Sequence, residues 1–302
     1  MPAPRTRRSR VLRRAVAVAL VAGVAASGAI WSDVAGAGEA WQKVLDRVDR
    51  FVAGPVPDRS IDPIVIITPR PSVATPPPTA VPSGVPPATP APTAARIPVD
   101  VQIDRDPAGH FAHEIRDVWC SPAGVQMTLA VLGLGDTSTR FQREIAGRVH
   151  EWESWADSHN GDWGPAAMVK ALAAYGATGY QVRAYDTRAD ALREAAAAIS
   201  TTEEPAILLA WRGAHTWVMT GSRADADPRL FPDATIAGAY ILDPWFPTVS
   251  SIWGASDPPG TYQDTAEMIR NFLPWKRPEG KYPGRDGRFI VLIPTNRRAL
   301  GS

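Results

Sequence analysis

AILLAWRGAHTWVMTG, residues 206–221, followed at residues 239–245 by AYILDPW, decides the fold class. Apolar residues fill 206–211, the turn Arg212-Gly213-Ala214 interrupts them, and the pattern resumes at 215–221 with a period of two. Residues 239–242 and 289–293 read as two further strands. Upstream the period becomes helical. Residues 121–132 (SPAGVQMTLAVL) form a helix that tolerates Pro122 in its first turn, carries Val125, Leu129 and Leu132 on one face, and stops at Gly133. Helices are also expected at 140–150, 165–175 and 189–199. Helices first and strands afterwards indicate an α+β domain, with the N-terminal helices packed against one side of an antiparallel sheet.

Three residues in this frame could carry chemistry together. Cys120 stands at the entry of the first helix (Trp119-Cys120-Ser121-Pro122), where unpaired backbone N–H groups and the helix dipole favour a thiolate. Taken alone it reads equally as a small buried residue. His215 follows the turn and opens a strand, so it stands at a sheet end; its bland alternative is a histidine packed between Trp211 and Trp217. Asp243 closes the strand AYIL ahead of Pro244, where a carboxylate also serves as a turn former. Antiparallel pairing of 215–221 with 239–242 would set Asp243 beside His215, and a helix start facing that sheet end would bring up Cys120. Thiolate, imidazole and orienting carboxylate are the set that nucleophilic acyl chemistry needs.

The rest of the chain bounds the reading. The 302 residues carry 32 Lys plus Arg against 31 Asp plus Glu, but the balance is uneven. Residues 1–14 hold six Arg and no acid, whereas residues 98–302 hold 20 basic and 25 acidic residues, a net −5. A nucleic-acid binder presenting a basic face is excluded on that balance. One Cys in the chain makes neither an internal disulfide nor a zinc ribbon, and no cofactor or metal is implied. His110 and His113 with Cys120 form a weak zinc-ligand pattern and read as two loop histidines. The Arg-rich start precedes an uncharged stretch at 15–32, so residues 1–37 read as a signal peptide or a membrane anchor and the protein as extracytoplasmic, secreted or anchored at the cell surface. Residues 38–68 contain an amphipathic helical pattern at 39–53. Residues 69–97 are a linker of polyproline II character, since 69–98 contain 11 Pro; at ~3.1 Å per residue the segment makes a semi-rigid stalk. Residues 98–302 are long enough for one domain with its own core. The Pro, Gly and aromatic-rich segment 253–287 reads as an ordered excursion on a cleft rim, and Trp152, Trp155 and Trp163 either line that cleft or pack between helices.

The motifs WCSPAGVQMTLAVLG, AILLAWRGAHTWVMTG and AYILDPW, with GDWGPAAMVKALAAYG between them, resemble the papain-like cysteine peptidases, closest to the family of bacteriocin-processing peptidases, number thirty-nine among the cysteine peptidases. The resemblance covers roughly residues 98–250. It implies a papain-like fold and a peptide or protein substrate, with Cys120 as nucleophile, His215 as base and acid, and Asp243 as the orienting carboxylate. The sequence departs from the family pattern where Cys120-Ser121-Pro122 replaces Cys-Gly-Pro. It departs again at Glu114, six residues before the Cys, where the family carries an oxyanion-hole Gln. Glu114 could serve only while protonated, since a carboxylate repels an oxyanion; Gln102 is the other candidate donor, if residues 103–118 form an inserted loop. The sequence thus points to an exported cysteine-dependent hydrolase of peptide or amide bonds, without a nucleic-acid partner, and attached to the membrane if the N-terminal segment is retained. A non-catalytic papain-like binding module and a thiol acyltransferase are the alternatives.

Overall fold

The computed structural model describes Val48 and residues 56–68, 95–158, 163–276 and 279–296. The uncharged stretch at 15–32, nearly all of the amphipathic segment at 39–53 and most of the Pro-rich segment lie outside the described residues. Among the described residues, no helix is long and apolar enough to cross a membrane.

The fold is mixed α+β, dominated by one eight-stranded sheet. In chain order its elements are β1 (Val65–Ile67), β2 (Val99–Gln102), α1 (Cys120–Val131), α2 (Thr139–Gly147), α3 (Pro165–Ala174), β3 (Tyr180–Tyr185), α4 (Arg188–Thr202), β4 (Ala206–Ala210), β5 (His215–Ala224) and β6 (Ile236–Leu242). A two-stranded ribbon of β7 (Val249–Ser250) and β8 (Gly254–Ala255) follows, then β9 (Thr261–Asp264), α5 (Thr265–Asn271) and β10 (Phe289–Pro294). The strand order of the main sheet is β1-β3-β10-β4-β5-β6-β9, with β2 paired to the far half of β5. Only β1 with β3 is parallel among the described pairings; the rest are antiparallel.

Helices cover both faces of the sheet, not one. On the first face Val125, Met127 and Leu129 of α1, Ile145 of α2, and Met168 and Leu172 of α3 meet Val182, Ile207, Leu209, Val218 and Leu292. On the second face Leu192, Ala195 and Ile199 of α4, with Met268 and Phe272 at α5, meet Leu208, Met219, Ile241, Val291 and Ile293. The three N-terminal helices α1–α3 share one side, as expected, whereas α4 connects β3 to β4 across the sheet's other face. Its Ala-rich inner stripe lets it lie close to the strands. The central strands β4 and β10 are buried along their whole length, which is why they read as continuous apolar runs.

The folded body also begins earlier than residue 98. The β-branched run Val65-Ile66-Ile67 adds β1 to the sheet edge, Val56 is buried, and the Arg59 N–H donates to Ser154 Oγ at 2.9 Å. The Pro-rich segment is therefore flanked on both sides by strands of one sheet.

One contact positions the candidate site. Gly124, buried in the second turn of α1, sits on Thr216 of β5, and a Cβ at Gly124 would lie 2.3 Å from Thr216 Cγ2. Ser121 Oγ and Thr216 Oγ1, 3.3 Å apart, tie the same turn to the same strand. Overpacking here costs ~1–3 kcal/mol, more than the ~1 kcal/mol that Gly to Ala gains in helix propensity. Gly124→Ala should therefore destabilise the domain by up to ~2 kcal/mol in urea denaturation. Adding Thr216→Ser, which removes the clashing methyl and keeps the hydroxyl, should recover most of the loss; a double variant no better than Gly124→Ala would show that this contact does not set the spacing.

Candidate active site

The N-terminus of α1 delivers Cys120. Its N-cap residue, Trp119, provides no side-chain cap, and Pro122 has no N–H, so the N–H groups of Cys120 and Ser121 have no helical acceptors. The Cys120 side chain is partly exposed, and its thiol lies 3.9 Å from the Ala214 carbonyl.

The turn between β4 and β5 delivers His215. Trp211, Arg212 and Gly213 all have left-handed backbone, with φ of 50°, 62° and 84°. Such conformations cost on the order of 1–3 kcal/mol at each non-Gly residue, a strain that recurs beside functional groups. At Gly213 a side chain is also excluded by space, since a Cβ would lie 2.2 Å from the Trp275 ring. The turn stacks Trp211 on the imidazole of His215, with centroids 3.9 Å apart and planes at 18°; Trp245 approaches the same ring edge-on. An indole face favours an imidazolium.

Asp243 completes the set from the end of β6, the neighbour of β5. The His215 Nε2–H donates to Asp243 Oδ1 at 2.6 Å, and the Trp245 N–H donates to the same oxygen at 2.9 Å. Both side chains are nearly fully buried. Burial by itself would lower the imidazole pKa, but the Asp243 charge and hydrogen bond, with the Cys120 side chain beside it, raise it to about 10. Burial by itself would raise the Asp243 carboxyl, yet the imidazolium and the hydrogen bonds hold it below the usual carboxylate range. With Nε2 engaged, Nδ1 is the ring nitrogen left for the thiol.

Glu114 lies beside both the thiol and the imidazole. Cys120 Sγ, a ring nitrogen of His215 and a carboxylate oxygen of Glu114 lie within 4.8 Å of one another. The loop bearing Glu114 is tied down by its own N–H donating to the Pro244 carbonyl, and by Gln142, which accepts from the Ile115 N–H and donates to the His113 carbonyl. Gln142 is buried and donates also to Gln126 of α1, so loop, α1 and α2 share one amide network. The Glu114 side chain is only 3% exposed, and neither of its oxygens has a hydrogen-bond partner among the described residues. Burial, the leading cause, pushes its pKa up to about 8.

The other sequence candidates fall elsewhere. Gln102 pairs with Gly221 in β2 and lines a separate cavity with Arg105, Arg229 and Tyr240, so it is not part of the Cys120 cleft. The physical reason is register: the β2–β5 pairing fixes Gln102 on the far half of β5. His110 bonds to Asp104, and His113 Nδ1 donates to the Pro244 and Phe246 carbonyls, so both rings fasten their loop. Trp152 is buried against Trp163 and Tyr175, whereas Trp163 reaches the cleft.

The cleft around Cys120 and His215 has a volume of about 360 Å³. Met168, Leu209, Trp275 and Tyr282 supply apolar wall, and Asp117 and Ser158 supply polar groups. Trp275 and Tyr282 come from the segment read as a rim excursion, and no sequence pattern distinguished them from its other aromatics. Arg285, buried, anchors that segment by pairing with Asp157, which also accepts from the Ala167 N–H near the start of α3.

No family model matches the chain, and no curated protein matches it. Among solved structures, one described as a double glycine motif protease from an AMS/PCAT transporter, in complex with the leader peptide, is similar to 61% of this chain and 91% of its own length, with 18% identity and a TM-score of 0.30. A likeness of that depth carries no argument, and the chemistry rests on the geometry above.

Glu114 gives a signed pH dependence. Its folded pKa of about 8 exceeds the ordinary Glu value, so the folded state keeps a proton that the unfolded chain releases. Stability from this group is greatest below the ordinary Glu range, falls as pH rises toward about 8, and is level beyond it. In chelator-containing buffer, Glu114→Gln should match wild type in denaturation at pH ~5 and exceed it by roughly 1–3 kcal/mol at pH ~8.5. A gap that does not grow with pH would mean that the buried carboxyl ionises freely.

Proposed function

We propose that this protein is a cysteine-dependent hydrolase of peptide or amide bonds with a papain-like arrangement, in which Cys120 is the nucleophile, His215 the acid and base, and Asp243 the orienting carboxylate. The observation that carries the reading is the chain of contacts from Asp243 through His215 Nε2 to a thiol at an uncapped helix start. In that order the three groups divide the labour of acyl transfer.

Cys120 gives its proton to His215 Nδ1, and the imidazolium is stabilised by Asp243 and by the Trp211 face. Sγ then attacks the carbonyl carbon of the scissile bond, and the carbonyl π electrons move onto oxygen. The N–H groups of Cys120 and Ser121, free of helical acceptors, and Glu114, held protonated by burial, then donate to that oxygen. Collapse expels the amine, which takes the proton from Nδ1, and leaves a thioester on Sγ. Water, deprotonated by the neutral imidazole, attacks the thioester, and the departing thiolate restores the starting state. The apolar walls from Met168, Leu209, Trp275 and Tyr282 suit an uncharged substrate side chain.

We further propose that the domain works outside the cytoplasm, tethered or secreted through residues 1–37, on the strength of the Arg-rich start and the uncharged stretch that follows. An orphaned carboxylate beside the thiol favours one rival, a binding module of the same shape, because an ionised Glu114 opposes an oxyanion.

A peptide library assayed with wild type, Cys120→Ala and Glu114→Gln separates these readings. Wild type should turn over; Cys120→Ala should lose turnover by at least ~10³-fold; Glu114→Gln should equal or exceed wild type at pH ~8, since one oxyanion donor is worth ~10²–10³ in turnover. Turnover surviving in Cys120→Ala would remove the nucleophile assignment, and none in any of the three proteins would leave the binding module.

A further inference from the structure

A buried carboxylate with both oxygens unpartnered calls for an explanation, because nearly all buried polar atoms find partners. Glu114 is such a group, and it faces a thiol and an imidazole within 4.8 Å. Carboxylate, thiolate and imidazole converging on one point form the donor set of a tetrahedral, borderline-soft divalent cation. The thiolate disfavours magnesium and calcium, which take oxygen ligands.

The outer contacts fit as well. A zinc-bound histidine commonly donates its second N–H to a carboxylate, which fixes the tautomer and raises ligand basicity. His215 makes that bond, Nε2–H to Asp243 at 2.6 Å, and so turns Nδ1 toward the cluster. Bonds of ~2.0–2.3 Å set ligand atoms of a tetrahedral site roughly 3.3–3.8 Å apart, so the cluster need close only slightly. The Glu114 backbone is pinned by the Pro244 carbonyl, so rotation about the Glu114 side-chain bonds supplies the closure. Cys120 and His215 line the cleft, so a fourth ligand can reach the metal from that side.

We propose that Glu114, Cys120 and His215 form a zinc site, with Sγ, Nδ1 and one carboxylate oxygen as ligands and a water or incoming ligand in the fourth position. The proton shared by the thiol and the imidazole and the proton that burial keeps on Glu114 both pass to solvent on binding. Such a site gives Glu114 a use that a neutral amide at the same position would not serve. If the hydrolase reading holds, zinc occupies the nucleophile and excludes the substrate carbonyl, so chelation frees the thiol; the binding itself does not depend on that reading.

Cobalt(II) reports the site without any turnover assay. The metal-stripped full chain, titrated with cobalt(II), should show a thiolate-to-cobalt charge-transfer band and intense tetrahedral visible bands saturating at one equivalent, both displaced by zinc(II). Cys120→Ala should lose the charge-transfer band. Glu114→Gln, which keeps the side-chain shape, should weaken zinc binding by ~10-fold or more in a chelator competition, and Asp243→Asn by ~10–100-fold with the band retained. Absence of the bands in a folded wild type would overturn the proposal. So would zinc binding of unchanged strength in Cys120→Ala, which would put the metal elsewhere, or in Glu114→Gln. A wild type that binds zinc but hydrolyses nothing leaves the metal site standing and removes the hydrolase; one that hydrolyses peptides but shows no band does the reverse.

Discussion

The seating of α1 on β5 at Gly124 and Thr216 is the constraint from which the site follows. A helix normally keeps its axis about 10 Å from a sheet, because side chains fill the space between them. Removing the side chain at one point, one turn after Cys120, lets the helix start tip in until Ser121 and Thr216 share a hydrogen bond. Thr216 is the residue after His215, so the contact that sets the helix also fixes where the imidazole begins. The uncapped N–H groups, the thiol and the ring then meet at one end of the sheet without a long side chain reaching across a gap.

Around that point the molecule concentrates charge that it could have left in water. Asp243 and His215 are buried together and sustain each other, while burial without a hydrogen-bond partner among the described residues keeps the proton on Glu114. The Asp157–Arg285 pair is a second buried ion pair on the cleft wall, but its role is different. It joins the 279–288 segment to the start of α3, with the Arg285 guanidinium lying over Trp275 and Tyr282. Breaking a buried pair of this sort usually costs a few kcal/mol, so the wall is rigid where the site is electrostatically tense.

Helices α1–α4 and the strands β4, β5, β6 and β10 were legible because each has an apolar face or run bounded by turn residues. Cys120, His215 and Asp243 were legible because each sits where an element starts or stops. Tyr180, Val182 and Ala184 alternate with Gln181 and Arg183, a clear period of two, so β3 carried a signal that was overlooked behind the helix before it. The three residues of β1 and the four of β2 are too short for any period, and their places are set by partners far away in sequence. That is why the Pro-rich segment looked like a spacer between two regions when strands of one sheet flank it. Glu114 was visible as a departure at a motif position, but its isolation depends on Pro244, Gln142 and Gln126 closing around it. Gln102 was placed wrongly for the same reason in reverse: a residue on a strand cannot swing once its register is fixed.

The place of β10 carries a consequence for how the molecule comes into being. Residues 289–294 lie between β3 and β4, so the sheet has a gap through its middle until they arrive. Cys120, His215 and Asp243 leave the ribosome well before that strand does. On one side of the gap stand β1 and β3, and on the other β4, β5 and β6, two half-sheets whose apolar edges have only each other's absent partner to pair with. A nascent chain therefore holds the Cys120 thiol and its unpaired edges together until residues 289–294 arrive. The sheet closes only then, and the two half-sheets cannot complete their pairing one after the other along the chain.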